Sequence, residues 1–207
     1  MSLRIYGNRL LKTLPGLETR PTPARVRQAV FNIWQGSIAN ARWLDLCTGT
    51  GAMGAEALCR GAAFVVGIEQ SGKAYAVIQQ NWQQVAKPNQ KFQLIRGDLL
   101  HRLPSLVGQQ FDRIYFDPPY ASSLYEPTLV LIAQYQLLAS TGELAVEHSP
   151  TKLLPEQIGT LTKERQKNYG TTAVTFYRVA DSALGIGNSE ESEKNVEADE
   201  SEQSQRV

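Results

Sequence analysis

The sequence predicts an α/β domain: a mostly parallel seven-stranded sheet with an antiparallel closing hairpin, preceded by a β-hairpin and helix. Three observations carry this. From residue 42 onward, the apolar segments RWLDLC, AFVVGIE, KFQLI, FDRIYFD and GELAVEHS alternate with helical ones. These strand segments are apolar on both faces, as expected of a parallel sheet covered by helices on each side. A glycine-rich turn, Gly49-Thr50-Gly51-Ala52-Met53-Gly54, follows the first of them and opens a helix.

In chain order, residues 3–14 read as a hairpin, with LRIY and RLLKT flanking a two-residue turn at Gly7-Asn8. Thr22 then serves as N-cap and Pro23 as the first residue of a helix. Val26, Ala29, Val30, Ile33 and Trp34 fall on one face of that helix, and Arg25 and Arg27 lie off the stripe. Gly36 is the stop. The helices between the strands are GAMGAEALCRG, SGKAYAVIQQNWQQVA, a short LLHRLPSL, and EPTLVLIAQYQLL with Pro127 in its first turn. TLTKERQKNYGTTAVTFYRV reads as two strands joined at Tyr169-Gly170, the antiparallel hairpin. Residues 182–207 have no aromatic and no apolar period, which predicts disorder. The expected divisions are 1–40, a basic extension; 41–181, the main domain; and 182–207, an acidic tail.

At 207 residues, 42% apolar and 20% charged, the chain has room for one domain with a substantial core. No apolar run reaches the ~18 residues of a membrane span, and MSLRIYGNRLLK has no apolar signal region. Two cysteines and two histidines are too few and too dispersed for a zinc site or a disulfide framework. A reduced, cytoplasmic setting without a metal is expected. The net charge of +1 conceals an asymmetry. Residues 182–207 carry seven acids against two bases, leaving +6 on residues 1–181. Of that excess, +5 lies in residues 1–40, where Arg4, Arg9, Lys12, Arg20, Arg25 and Arg27 face Glu18 alone. Such an extension suits a polyanion such as nucleic acid, and equally a solvated basic face.

Two constellations carry chemistry. The first is the glycine turn with Glu69 at the end of the next strand, where an acid can accept from ribose hydroxyls. Gly49 and Gly51 let the backbone lie close to a ligand beside a helix N-terminus. A turn of this form fits a dinucleotide or S-adenosylmethionine, and close packing alone could also require its glycines. Asp45, just before the turn, suits the ammonium of a methionine better than a pyrophosphate, and Asp98 after the third strand suits an adenine amino group. The second is Asp117-Pro118-Pro119-Tyr120, which ends the fourth strand at the same rim. The prolines lack N–H donors and have fixed φ. Asp117 and a loop carbonyl can accept both hydrogens of an exocyclic NH₂ while the base stacks on Tyr120. Guanine N2, adenine N6 and cytosine N4 all present such an amine. Cys47, Cys59, Trp34, Trp43, Trp82 and His148 read as structural residues and His101 as exposed.

Taken together, RPTPARVRQAVFNIW, LDLCTGTGAMGAEALCRGA, FDRIYFDPPY and YGTTAVTFYR resemble the RsmD-type family of ribosomal RNA guanine-N2 methyltransferases, over residues 3–180. The chain departs from the family pattern at Cys47-Thr48, at Thr50 and at Gln28. The resemblance implies a Rossmann-like class I methyltransferase fold. It implies S-adenosyl-L-methionine as cofactor, held by Asp45, Gly49, Gly51, Glu69 and Asp98, and chemistry at Asp117, Pro118, Pro119 and Tyr120. It also implies methylation of a guanine 2-amino group in small-subunit (16S) ribosomal RNA, in an assembled or assembling 30S subunit, by a monomer with no membrane contact. Arg20, Thr22 and Arg25 match the family's Arg-Pro-Thr motif and are expected at the RNA or over the site, although N-capping accounts equally well for Thr22. Two readings from other classes remain: an NAD-dependent oxidoreductase, which leaves the Asp-Pro-Pro-Tyr turn unexplained, and an RNA-binding assembly factor without catalysis.

Overall fold

The computed structural model describes residues 2–13 and 24–180. The expected helix cap at Thr22-Pro23, Arg20 and the acidic tail lie outside the described residues. The chain opens with β1 (Ser2–Ile5) and β2 (Arg9–Lys12), paired antiparallel with Ile5 opposite Arg9. The connecting loop therefore holds three residues, Tyr6, Gly7 and Asn8, and not the two expected. Gly7 and Asn8 both take positive φ, 69° and 61°, so the residue types were suited to the turn but its length was not legible.

Helix α1 (Ala24–Ile33) leads into the main sheet. Its strands and helices follow as β3 (Arg42–Leu46), α2 (Ala52–Cys59), β4 (Phe64–Glu69), α3 (Gly72–Val85), β5 (Lys91–Arg96) and α4 (Leu99–Arg102). After a 3-10 turn come β6 (Phe111–Phe116), α5 (Tyr125–Gln134), β7 (Leu138–His148), β8 (Gln157–Ile158), β9 (Leu161–Tyr169) and β10 (Thr172–Val179). The order across the sheet is β5-β4-β3-β6-β7-β10-β9-β8. The first five are mutually parallel, and β10 runs antiparallel between β7 and β9. The sheet thus has eight strands where seven were expected. The extra one, β8, is two residues long and too short to carry an alternation. No described helix is long and apolar enough to cross a membrane.

One face is covered by α1, α2 and α3 through Val30, Phe31, Leu58, Ile78 and Trp82; the other by α4 and α5 through Leu99, Leu129 and Ile132. This doubly covered, mostly parallel sheet is the expected architecture. Helix α1 sits rotated from its expected face. Val26, Arg27, Val30 and Phe31 are buried, and Ala29 and Ile33 are only half-buried. The cause is Arg27, whose Nε lies 2.7 Å from the Glu56 carboxylate on α2, with both side chains nearly sealed from solvent. Its Nη2 donates to the Arg4 carbonyl at 2.9 Å. Arg60 holds the other Glu56 oxygen at 2.8 Å. A buried carboxylate between two guanidiniums explains why a cation turns inward here.

Other basic residues of the extension are also engaged with the domain. Arg9 donates to the Val85 carbonyl at 3.1 Å, and the Asn81 side chain bonds both the N–H and the carbonyl of Lys12 at 2.9 Å. Ile5 and Leu11 are buried in the same core. The hairpin is therefore part of the folded unit. Replacing Arg27 by Met should lower unfolding free energy by about 3 kcal/mol, because it leaves a buried carboxylate short of one partner. A urea melt of the full chain, with the midpoint unchanged from wild type as the contrary result, checks this.

Candidate active site

The parallel register brings the carboxyl ends of β3, β4, β5 and β6 to one rim. Asp45 is paired with Gly67 on β4 and Tyr115 on β6, and the Asp117 N–H reaches the Leu46 carbonyl at 3.4 Å. Gly97 donates to the Glu69 carbonyl at 3.0 Å, which brings in the chain leading to Asp98. Burial raises the Asp45 carboxyl well above its ordinary 3.8; the Gly54 N–H opposes this, and Asp117 and Glu69 push it further up. Cys47 stands among all four acids. Burial raises its thiol first, then Asp117, Glu69, Asp45 and Asp98 in turn. The four strand-end carboxylates thus share one electrostatic neighbourhood, as the sequence suggested. Cys47, read as a small core residue, lies in their midst with φ 62°.

Each acid also organises the backbone around it. Asp45 Oδ2 accepts from the Gly54 N–H at 3.0 Å. Glu69 Oε2 accepts from Gly49 N at 2.8 Å, and Oε1 from Ser71 N at 2.7 Å. Asp98 caps α4, accepting from His101 N at 3.1 Å. The Thr48 hydroxyl ties the Asp45 and Ile68 carbonyls together, each at 3.0 Å. The glycine turn is fixed from below by Trp82, whose Nε1 donates to the Gly51 carbonyl at 2.8 Å. A Cβ on Gly54 would lie 2.2 Å from the Trp82 ring, so that glycine is required by packing. Gly51, at φ 76°, caps α2 in the left-handed region. Gly49 has only the Cys47 carbonyl near a would-be Cβ, at 3.7 Å, so its surroundings are open. Close packing thus accounts for Gly54 and crowds Gly51, where a Cβ would lie 2.9 Å from Ile78, but does not account for Gly49.

Beyond β6, Pro118 is buried, Pro119 exposed and Tyr120 half-buried. The Pro119 carbonyl accepts from Ser122 N at 2.8 Å, closing a turn. The Tyr120 hydroxyl lies 3.1 Å from Glu147 Oε1 and 2.8 Å from Thr172 Oγ1. Burial, together with the Glu147 charge, pushes that hydroxyl up to about 12, so it stays protonated at neutral pH. Glu147 is 2% exposed and also accepts from Tyr115. Neither Glu147 nor Thr172 was singled out from sequence. The available signal was an acid inside the apolar run GELAVEHS. His148 bonds Thr175 and the Ser149 carbonyl, each at 2.8 Å, which is a structural role.

Arg25 is exposed at the start of α1, its guanidinium against Gly170 in the turn between β9 and β10. Thr172, which bonds Tyr120, immediately follows that turn. Arg20 and Thr22 are outside the described residues. Among those residues no group of acids, histidines and cysteines has a metal-holding arrangement. A cavity of about 700 Å³ lined by Arg42, Gln109 and Gln136 opens at the opposite end of the strands, away from the acids.

The family model described as Conserved hypothetical protein 95 matches residues 3–178. Ribosomal RNA small subunit methyltransferase D of Escherichia coli K12 is 30% identical over 164 residues, 79% of this chain and 80% of the relative. The chain belongs to this RsmD-type family. YlbH of Bacillus subtilis, named as a candidate rRNA methyltransferase, is 33% identical over 172 residues, 82% of this chain and 93% of the relative. The solved structure of YhhF from Escherichia coli, described as a candidate methyltransferase, superposes with a TM-score of 0.76 at 29% identity, covering 87% of this chain and 99% of that one. The sheet and its helices are accordingly the class I methyltransferase fold.

The direction of the Asp45 shift fixes the sign of a pH effect. An acid whose native pKa is raised binds its proton more tightly folded than unfolded. Its contribution to stability is then lost as pH rises from 3.8 through the raised value. Asp45→Asn keeps an acceptor for Gly54 but has no proton to lose. In calorimetric melts without ligand, the variant should gain on wild type steadily as pH rises through that window. A constant difference would contradict the shift.

Proposed function

We propose that this protein transfers a methyl group from S-adenosyl-L-methionine to the 2-amino group of a guanine in small-subunit ribosomal RNA. The coarser part, an rRNA methyltransferase, is the activity of its family. The observation that supports the reading most is the convergence of the Asp117–Tyr120 turn with Asp45, Glu69 and Asp98 at one rim. The charges acting on Asp45 are themselves acidic, which fits a cationic ligand. The residues present therefore fit S-adenosylmethionine, with its ammonium and sulfonium. Asp45 would face the ammonium, the Gly49–Gly51 backbone the chain joining it to the nucleoside, Glu69 the ribose and Asp98 the adenine. When bound, that cofactor supplies an electrophilic methyl group.

The chain's own residues then handle the nucleophile. An exocyclic amine delocalises its lone pair into the ring and is a poor nucleophile. In this reading Asp117 accepts one N–H and a carbonyl of the Pro118-Pro119 turn accepts the other. Holding both hydrogens favours a pyramidal nitrogen with its lone pair free. On accepting the methyl group that the cofactor would supply, the nitrogen would take on positive charge beside Asp117. That carboxylate stabilises the charge and takes up the proton. Tyr120, protonated and anchored, gives the base a flat surface. The choice of guanine over adenine and cytosine rests on the sequence resemblance alone, because all three bases present an amine to the same turn. The relevant partner is RNA in an assembled or assembling 30S subunit, engaged by a monomer.

Three outcomes test this. Asp117→Ala should lower methyl transfer to small-subunit RNA by about 100-fold or more, the scale of losing one transition-state contact. Mass spectrometry of ribosomal nucleosides should find N2-methylguanosine reduced in cells lacking the gene; loss of N6-methyladenosine or N4-methylcytidine instead would overturn the choice of base. Arg25→Glu should weaken RNA binding and flatten its dependence on log salt by about one unit. An unchanged slope removes Arg25 from the interface.

A further inference from the structure

We infer that Glu147, with Thr172 as a second anchor, is a positioning residue that sets the Tyr120 ring in place before the base arrives. The inference rests on the reading of Tyr120 as the surface on which the base stacks. A carboxylate buried to 2% exposure costs free energy unless hydrogen bonds offset it. Glu147 has them from tyrosine hydroxyls: Tyr115 on Oε2 and Tyr120, 3.1 Å from Oε1, with Tyr125 3.3 Å from its main-chain carbonyl. Of these three, Tyr120 alone belongs to the Asp-Pro-Pro-Tyr turn.

A phenol has one proton. Donated to Glu147, it leaves the Tyr120 oxygen to accept from Thr172 Oγ1 at 2.8 Å. Two bonds in different directions fix the far end of the ring. The near end is fixed by Pro118 and Pro119, whose φ angles are locked. The ring is thus restrained at both ends, and little of its freedom remains to be lost on stacking. The anchors come from β7 and from the start of β10, neither of which carries a proposed cofactor residue. The closing hairpin thereby acquires a role on the substrate side of the rim.

A purely structural role predicts lost stability and nothing specific to Tyr120. A positioning role predicts coupling. Glu147→Gln and Tyr120→Phe should each lower kcat for RNA methylation about tenfold, a modest misplacement of the base. The affinity for S-adenosylmethionine, measured by calorimetry, should stay within about twofold, because the cofactor acids are untouched. The double variant should be no slower than Tyr120→Phe alone, which already removes the bonds to both Glu147 and Thr172. Thr172→Val should be impaired and Thr172→Ser restored. Multiplicative losses in the double variant, or full activity in Tyr120→Phe, overturn the inference. Tyrosine ring NMR of selectively labelled, ligand-free protein supplies a readout independent of activity. Faster or broader ring motion at Tyr120 in Glu147→Gln supports the anchor, and identical ring signals refute it. Wild-type protein that methylates no RNA would sink the proposed function while leaving the ring measurement to decide this point.

Discussion

Like charge held at close quarters is the constraint on which the rest of this structure depends. Asp45, Glu69, Asp98 and Asp117 lie at or just beyond the carboxyl ends of four neighbouring strands, whose pairing keeps them together. The surrounding backbone answers with N–H donors from Gly49, Gly54, Ser71 and the residues after Asp98. The Gly49 and Gly54 donors belong to the glycine turn, which Trp82 supports from beneath. Burial in a parallel sheet normally excludes carboxylates. Here they are tolerated where the strands emerge, and the resulting negative rim suits a cation.

The basic N-terminal segment divides into two parts once its contacts are known. Arg27 and Arg9 bind the domain, through Glu56 and the Val85 carbonyl. Arg25 remains exposed, its guanidinium against Gly170 in the β9–β10 turn. Net charge over residues 1–40 therefore overstates what is available to a polyanion, because a cation sealed against a carboxylate contributes little field outside.

The two sides of the rim are supported by different elements. The glycine turn and its acids rest on α2, α3 and the parallel strands. Tyr120 rests on β7 and on the antiparallel hairpin that closes the sheet.

The sequence by itself determined the alternation of strands and helices, the rim acids and the Asp-Pro-Pro-Tyr turn. Periodicity and strand ends are local properties, and each acid stood at the end of an apolar run. It also supplied the residue types of the first turn, though not its length, since Gly7 and Asn8 suit several loops. Tertiary structure alone decided which way Arg27 faces, because Glu56 is far along the chain and a helical wheel sees only neighbours. It decided the place of Cys47 among four acids and of Trp82 beneath the glycines. It decided, too, that Glu147 and Thr172 meet Tyr120, for the antiparallel register of β10 on β7 brings together residues that no spacing in the sequence connects.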